Sequence, residues 1–486
     1  MRYTEIAEAR PFSGAPKINL PSAYGASPNK PIILRIPVTG ERPMEYSAQN
    51  LPLGLSLDGG IITGKVPKEG NYTVTLRAKN ALGEDSRTLT LEIREGAVLL
   101  TPLLGFTSWN AFGFEVSARD MEWTAKRMLE LGLAEYGYSY INTDSGWQGE
   151  YGGEFDAIMP NEKFPDMKGM CQRLHDMGFK CGIYSTPMLN AFGCAMTHVP
   201  LPPGCTRGEP DPRFADERGG IGTVRCERNC ALQWEAWGFD YLKYDWRPSD
   251  PYNAELMRRE LAGLSRDFGF CVTVKARPEY HTYWERYCNS YRCSTDSVGN
   301  FKNLLEIYSS YFDFIEYTNK GHYYDLDMLD TGKCSLFEKL GFTEEEGFGY
   351  TEDEELVLYS MRAFLNSPIQ LSCILDEVSD FEMAMYCNEE IIAINQDCEY
   401  APSVPIMMIE GEGRKLHAFR KRLEGGEYAI AVFNLGECRE DVKIYLDSEA
   451  SVRDVWAKRD VGDMKLIRLD MPRHTVRIFR MKPKDN

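Results

Sequence analysis

The chain is expected to fold in three parts. These are a β-sandwich over residues 1–98, a long βα-alternating block over 99–399 with a parallel sheet, and an antiparallel β domain over 400–486. Length is the first reason: 486 residues is roughly three domains at about 150 residues each. Texture is the second, because strand-like alternation gives way near residue 100 to apolar runs separated by amphipathic helices, and returns near 402. Charge is the third. The formal net charge is −18, yet residues 1–99 hold 12 basic and 10 acidic side chains and residues 400–486 hold 17 and 14, so the middle block alone carries −23.

In the first part, Ile32-Ile33-Leu34-Arg35-Ile36-Pro37-Val38 predicts a strand that ends at Thr39-Gly40. Tyr72 to Ala78 alternates, Asn80-Ala81-Leu82-Gly83 turns, and Thr88 to Ile93 alternates again. Short strands punctuated by Gly, Pro and Asn suggest a sandwich. In the middle block, Tyr138 to Asp144, Lys180 to Ser185, Asp240 to Asp245 and Phe270 to Lys275 read as strands. Helical stretches around Met167–Met177, Leu232–Gly238 and Glu255–Phe268 precede three of them. Such alternation over some 300 residues implies a parallel sheet, either an eight-stranded barrel or an open doubly wound sheet. Tyr428 to Asn434 and Thr475 to Phe479 are strands of the third part.

Composition sets limits on function. An acidic block of this size repels phosphate backbones and anionic surfaces, so nucleic-acid and membrane partners are not expected. No run of 18 apolar residues is present, and Met1-Arg2-Tyr3-Thr4-Glu5 opens no secretory signal. None of the 14 cysteines precedes Cys171, which suits free thiols in a reducing cytoplasm. Cys194, His198, Cys205, Cys226 and Cys230 could supply four ligands to a structural zinc, but the spacings are looser than a CxxC pair, and neither a metal nor a cofactor is expected.

Chemistry is suggested where strands finish. Asp144, Asp245, Asp296 and Asp327 each follow an apolar or aromatic run. In a barrel those ends share one face, where active sites sit. Lys243 and Asp245 are two apart and so point to the same side of a strand. Any single Asp here could simply cap the following helix. Four at successive strand ends, beside aromatics, fit that explanation poorly. No phosphate loop, GxGxxG, GxSxG or HExxH motif competes. Paired carboxylates with aromatics point to sugar hydrolysis.

The middle block, from about Leu104 to Asp397, resembles glycoside hydrolase family 27, the α-galactosidase/α-N-acetylgalactosaminidase family. The resemblance rests on Gly105-Phe106-Thr107-Ser108-Trp109-Asn110, Tyr140-Ile141-Asn142-Thr143-Asp144-Ser145-Gly146-Trp147, Trp237 through Asp245, Arg292-x3-Asp296, Gly321 through Leu329, and Ile392 through Asp397. Leu51 through Asp58 with Glu69 through Val74 is similar to small immunoglobulin-like modules found beside glycosidase domains. The resemblance implies a (β/α)8 barrel followed by a β-sandwich. It implies that Asp245 is a nucleophile and Asp296 a general acid/base, with Asp245 kept at a low pKa and Asp296 at a raised one. Lys243 would bind sugar hydroxyls and hold Asp245 ionised, and Arg292 would contact the sugar. Trp109, Tyr184 and Tyr280 would form apolar walls, while Asp144 and Asp327 would accept sugar hydroxyls.

Two positions depart from the family. Ser145 stands where a second aspartate is usual, and Ala276 stands where a Glu or Ser precedes Trp-Pro. Glu279, Lys275 and Arg277 add charge there, either as a mutual ion pair or as a site for an altered sugar. The expected substrate is therefore a small galactose-configured oligosaccharide or glycoside. α-N-acetylgalactosamine, β-L-arabinopyranose and a non-catalytic sugar-binding barrel are the alternatives. Nothing in the sequence decides between a monomer and a homo-oligomer.

Overall fold

The computed structural model describes residues 2–188, 211–214, 220–246, 249–273, 275–342 and 348–484. In the first part, strands Ala23–Ala26, Gly83–Ile93, Gly70–Asn80 and Glu45–Gln49 form one sheet in that spatial order. Ile32–Arg35, Ile61–Gly64 and Leu55–Asp58 form a second. Alternate residues Val74, Leu76, Ala78, Leu89, Leu91 and Ile93 face Ile32, Leu34 and Ile62 in a shared core, as a half-buried sheet requires. The expected strand 32–38 is split in two. It ends at Arg35, and Val38–Thr39 pairs separately with Lys17–Ile18, because Pro37 between them has no N–H to donate.

The middle part is a closed barrel, so the open doubly wound alternative is not realised. Its parallel strands are β1 (Leu104–Thr107), β2 (Tyr140–Thr143), β3 (Lys180–Ser185), β4 (Tyr241–Asp245), β5 (Gly269–Thr273), β6 (Ser290–Tyr291), β7 (Tyr323–Tyr324) and β8 (Ile369–Leu371). β1 pairs with both β2 and β8. The seam between β7 and β8 is joined by the Leu329 N–H donating to the Gln370 carbonyl at 2.8 Å. The helix expected at 255–268 is displaced, running Pro251–Ala262. Asp250 caps it by accepting from the Asn253 N–H, Pro251 occupies the first turn, and Gly263 closes it. No described helix is long and apolar enough to cross a membrane.

The third part is a six-stranded antiparallel sheet in the order Val404–Gly411, Arg414–Arg422, Tyr428–Asn434, Thr475–Pro483, Glu440–Asp454, Arg459–Met471. Tyr428–Asn434 is buried on both faces. Ala429, Ala431 and Phe433 join the barrel core, while Ile430 and Val432 join the sheet's own.

The N-terminal sandwich sits on the barrel floor, at the start of the strands. The Ser27 N–H donates to Asp267 ahead of β5 at 2.7 Å, Arg35 donates to the Met177 carbonyl ahead of β3 at 2.9 Å, and Asn19 donates to the Glu135 carbonyl ahead of β2 at 2.8 Å. Glu135 itself is buried. It accepts from the Val38 N–H at 3.1 Å and pairs with Arg42 at 3.0 Å. The opposite end, where strands finish, is left to the site.

Candidate active site

Strand register explains how the site assembles. Tyr184 of β3 is paired with Lys243 of β4, and Asp245 lies two residues further along the same face. A tyrosine reaches its diagonal neighbour at that spacing, and the Tyr184 hydroxyl donates to Asp245 Oδ2 at 2.8 Å. On the other flank, Lys243 Nζ donates to Asp144 Oδ2 at 2.7 Å, and the Thr107 hydroxyl donates to the same oxygen at 3.4 Å. The Ser108 hydroxyl accepts the Asp144 N–H at 2.9 Å and so fixes the carboxylate's backbone.

Arg292 follows β6 directly. Its N–H donates to the Val272 carbonyl and its carbonyl accepts the Ala276 N–H, which clamps it between β5 and the loop beyond. The guanidinium, only 2% exposed, donates to Asp296 Oδ1 at 2.5 Å and pairs with Asp327 Oδ2. Asp327 adopts the left-handed backbone region at φ 69°, which a short polar side chain tolerates. Its N–H donates to Asp325 Oδ1, its side chain accepts the Ser297 N–H, and its carbonyl accepts from buried Arg362.

Burial raises the Asp245 pKa above the ordinary aspartate value. Arg292, Lys243 and the Tyr184 hydrogen bond pull it down, and Asp296 pushes it up. The expectation of a low value therefore fails in direction, because the desolvation of a carboxylate at the strand end outweighs its cations. Lys243, ion-paired to Asp144, lowers the Asp245 pKa as expected, and Arg292 exerts the larger pull. Lys243 and Arg292 are both held charged, against desolvation, by Asp144 and Asp327 respectively. Asp325 rises through burial. The Asp296 side chain is 55% exposed, so an open carboxyl accompanies the half-buried one of Asp245. Such a set can deliver a nucleophilic oxygen from below and exchange a proton from above.

Several comparisons meet this geometry. Residues 413–481 match the family model "Alpha galactosidase C-terminal beta sandwich domain", and residues 15–94 match "Putative Ig domain". α-Galactosidase A of Cellvibrio japonicus is 27% identical over 417 residues, 79% of this chain and 92% of that protein. A solved structure from Bacteroides fragilis, described as a "putative alpha-galactosidase/melibiase", is 28% identical with a TM-score of 0.85, covering 97% of this chain and 99% of that one. The chain is an α-galactosidase-like glycoside hydrolase with an N-terminal Ig-like module. A family 27 β-L-arabinopyranosidase from Geobacillus stearothermophilus, 18% identical with a TM-score of 0.68 over 79% of this chain and 98% of that one, shares the fold.

In this hydrolase β2, β3, β4, β6 and the loop after β7 bring Asp144, Tyr184, Lys243, Asp245, Arg292, Asp296 and Asp327 together. Trp109 packs edge-on against Phe114 at 4.9 Å beyond β1, and Tyr280 packs against Tyr283 and Trp284 beyond β5. Ser145 is buried, its N–H donates to Asp144 Oδ1 at 2.8 Å, and its hydroxyl lies 3.4 Å from the Gln148 amide nitrogen. Ala276 is buried. Glu279 takes the bland option and pairs with Arg277 at 3.7 Å, both more than half exposed. Such a pair contributes little. Asp325, Arg362 and Gln148 were not anticipated. Asp325, two residues before Asp327 in Tyr324-Asp325-Leu326-Asp327, was the legible one. Cys194, His198 and Cys205 lie outside the described residues, while Cys226 caps and Cys230 lies within the helix Glu227–Trp237. On the floor, His175, Cys181 and Asp240 bring three ligand-type atoms within 4.8 Å. The Asp240 carboxylate there is engaged by His175 at 2.8 Å, Arg266 at 2.5 Å and the Cys181 N–H at 2.9 Å, which describes an ion-pair network.

Proposed function

We propose that the protein is a retaining exo-glycosidase that releases terminal galactose-configured sugars, with Asp245 as nucleophile and Asp296 as general acid/base. The observation that carries this reading is the arrangement around Arg292, which grips exposed Asp296 while pulling on half-buried Asp245. In the first step Asp245 attacks the anomeric carbon, the glycosidic C–O bond breaks, and Asp296 gives its proton to the departing oxygen. In the second, water attacks the glycosyl ester, Asp296 takes the water's proton, and Asp245 leaves as carboxylate. Lys243 and Asp144 form a donor–acceptor pair suited to adjacent sugar hydroxyls. The α-galactosidase name of the Cellvibrio relative supports the galactose configuration.

Ser145 favours a second reading within the same chemistry, because a hydroxyl facing Gln148 binds a hydroxymethyl-side oxygen more weakly than a carboxylate does. A β-L-arabinopyranoside, which lacks that carbon, fits this change. A panel of nitrophenyl glycosides separates the readings, and proton NMR of the first-formed sugar anomer tests retention. Release from none of the α-galactosyl, α-N-acetylgalactosaminyl or β-L-arabinopyranosyl substrates, or inversion at the anomeric carbon, overturns the proposal. We also infer a reducing, cytoplasmic setting from the buried thiols of Cys171, Cys181, Cys271, Cys288, Cys334, Cys373 and Cys387. Fractionation of the native host tests it.

A further inference from the structure

A second cavity lies at the other end of the barrel, between its floor and the Ig-like module. Its volume is about 90 Å³, room for several waters or an acid of a few heavy atoms. The module contributes Leu20, Pro21, Tyr24 and Leu34, and the barrel contributes Leu103, Tyr140 and Lys180. Apolar side chains alternate in the walls with Asn19, Arg35, Thr101, Ser139, Lys180 and Gln396, and of these Lys180 asks for an explanation.

Lys180 heads β3 and is half-buried. Its ammonium donates to the Tyr24 hydroxyl at 2.7 Å and to the Tyr140 hydroxyl at 3.4 Å, and lies 4.9 and 5.4 Å from the centres of those two rings. Burial pushes the Tyr140 phenol up to about 12, so at neutral pH it accepts this bond as a neutral group. Among the described residues no carboxylate pairs with Lys180. The one whose charge it feels, Asp240, is already engaged by Arg266 and His175. The other cation of the lining, Arg35, lies 3.8 Å from Glu135 and donates to the Met177 carbonyl. An ammonium has three N–H bonds to place, and a positive charge away from bulk water is costly without a counter-ion.

We propose that this cavity is a binding site for a small organic carboxylate, whose anionic end pairs with Lys180 and whose apolar end packs between Leu20, Leu34 and Leu103. The ligand joins module to barrel, because its walls come from both. The proposal stands apart from the reaction assigned to the mouth.

Dichloroacetate is a suitable probe, combining a carboxylate with an apolar, anomalously scattering body. In thermal denaturation of the full-length protein, dichloroacetate and propionate should raise the melting temperature saturably, while 1-propanol and inorganic phosphate should not. Lys180→Met should require at least tenfold more acid for the same shift, and Lys180→Arg should keep the response. Crystals grown with dichloroacetate should place chlorine beside Lys180, which keeps the test decisive even if the Met variant does not fold. The proposal is overturned by no saturable response, which would leave water as the occupant. An equal response in Lys180→Met, an equal response to phosphate, or chlorine found at Arg292 instead also overturns it.

Discussion

The two ends of this barrel enclose buried charge in different ways. At the mouth, Lys243 and Arg292 are each matched to carboxylates, and acids outnumber bases: Asp144, Asp245, Asp296, Asp325 and Asp327 gather round two cations. At the floor, contacts are made between parts of the chain far apart in sequence, and the cations Arg35, Arg42 and Lys180 lie near two buried acids, Glu135 and Asp240, and two phenols. Burial among several carboxylates leaves Asp245 and Asp325 with raised pKa values, a mark of functional sites. A set of matched pairs across an interface fixes the position of a neighbour. The same strands supply both: β3 begins with Lys180 and nearly ends with Tyr184.

If the mouth is the chemical end, damage there should cost turnover. The largest effect is expected for Asp245→Gly, which should abolish hydrolysis with unchanged circular dichroism. Near-wild-type rates would end the assignment. Asp296→Asn should lower kcat by roughly 10²–10⁴-fold, less for substrates with good leaving groups. Arg292→Met should harm both function and fold, since it strands buried Asp327. A stability loss of about 3–5 kcal/mol by urea denaturation is the expected size. Tyr184→Phe should act through acidity. The lost hydrogen bond favoured ionised Asp245, so its pKa should rise, the acid limb of kcat/KM should move to higher pH, and the rate should fall about tenfold. A limb that stays put would mean Tyr184 acts only as a wall. If the floor is the mechanical end, Glu135→Ala should lose about 1–3 kcal/mol of stability while kcat stays unchanged.

A subtler contrast concerns pH. Glu355, near Glu382 and Asp330, has its pKa raised to about 8, mainly by burial. The folded protein thus keeps a proton that the unfolded chain releases above about pH 4.5. Stability from this group falls as pH rises from there to about 8. Glu355→Gln should flatten that decline, raising the melting temperature at pH 8 more than at pH 5.

Much of the mouth was readable in the sequence because it depends on short-range rules. A two-residue step places Lys243 with Asp245, and a carboxylate after each apolar run marks a strand end. Barrel closure was not readable, since it rests on β1 meeting β8 some 260 residues later. Nor was the sign of the Asp245 shift. It depends on how burial balances against Arg292, Lys243 and Tyr184, and no spacing encodes that balance. The burial of Glu135 in Leu133-Ala134-Glu135-Tyr136 is not encoded locally, since it comes from the sandwich lying over it. The helix before β5 starts four residues ahead of the expected Glu255 because Asp250-Pro251 caps and opens it.

The short turn Leu133–Tyr136, with Gly132 and Gly137 at its ends in left-handed backbone conformations, presses Glu135 into the sandwich. This has a bearing on how such chains can be recombined. A barrel stripped of its first 98 residues would carry a bare carboxylate, an exposed Lys180 and an unanswered Asp267 on what had been its underside. A sandwich grafted from a relative would need basic groups where Arg35 and Arg42 stand. The two parts therefore behave as a matched set, to be inherited or engineered together, with Glu135 serving as the key that tells a compatible partner from a foreign one.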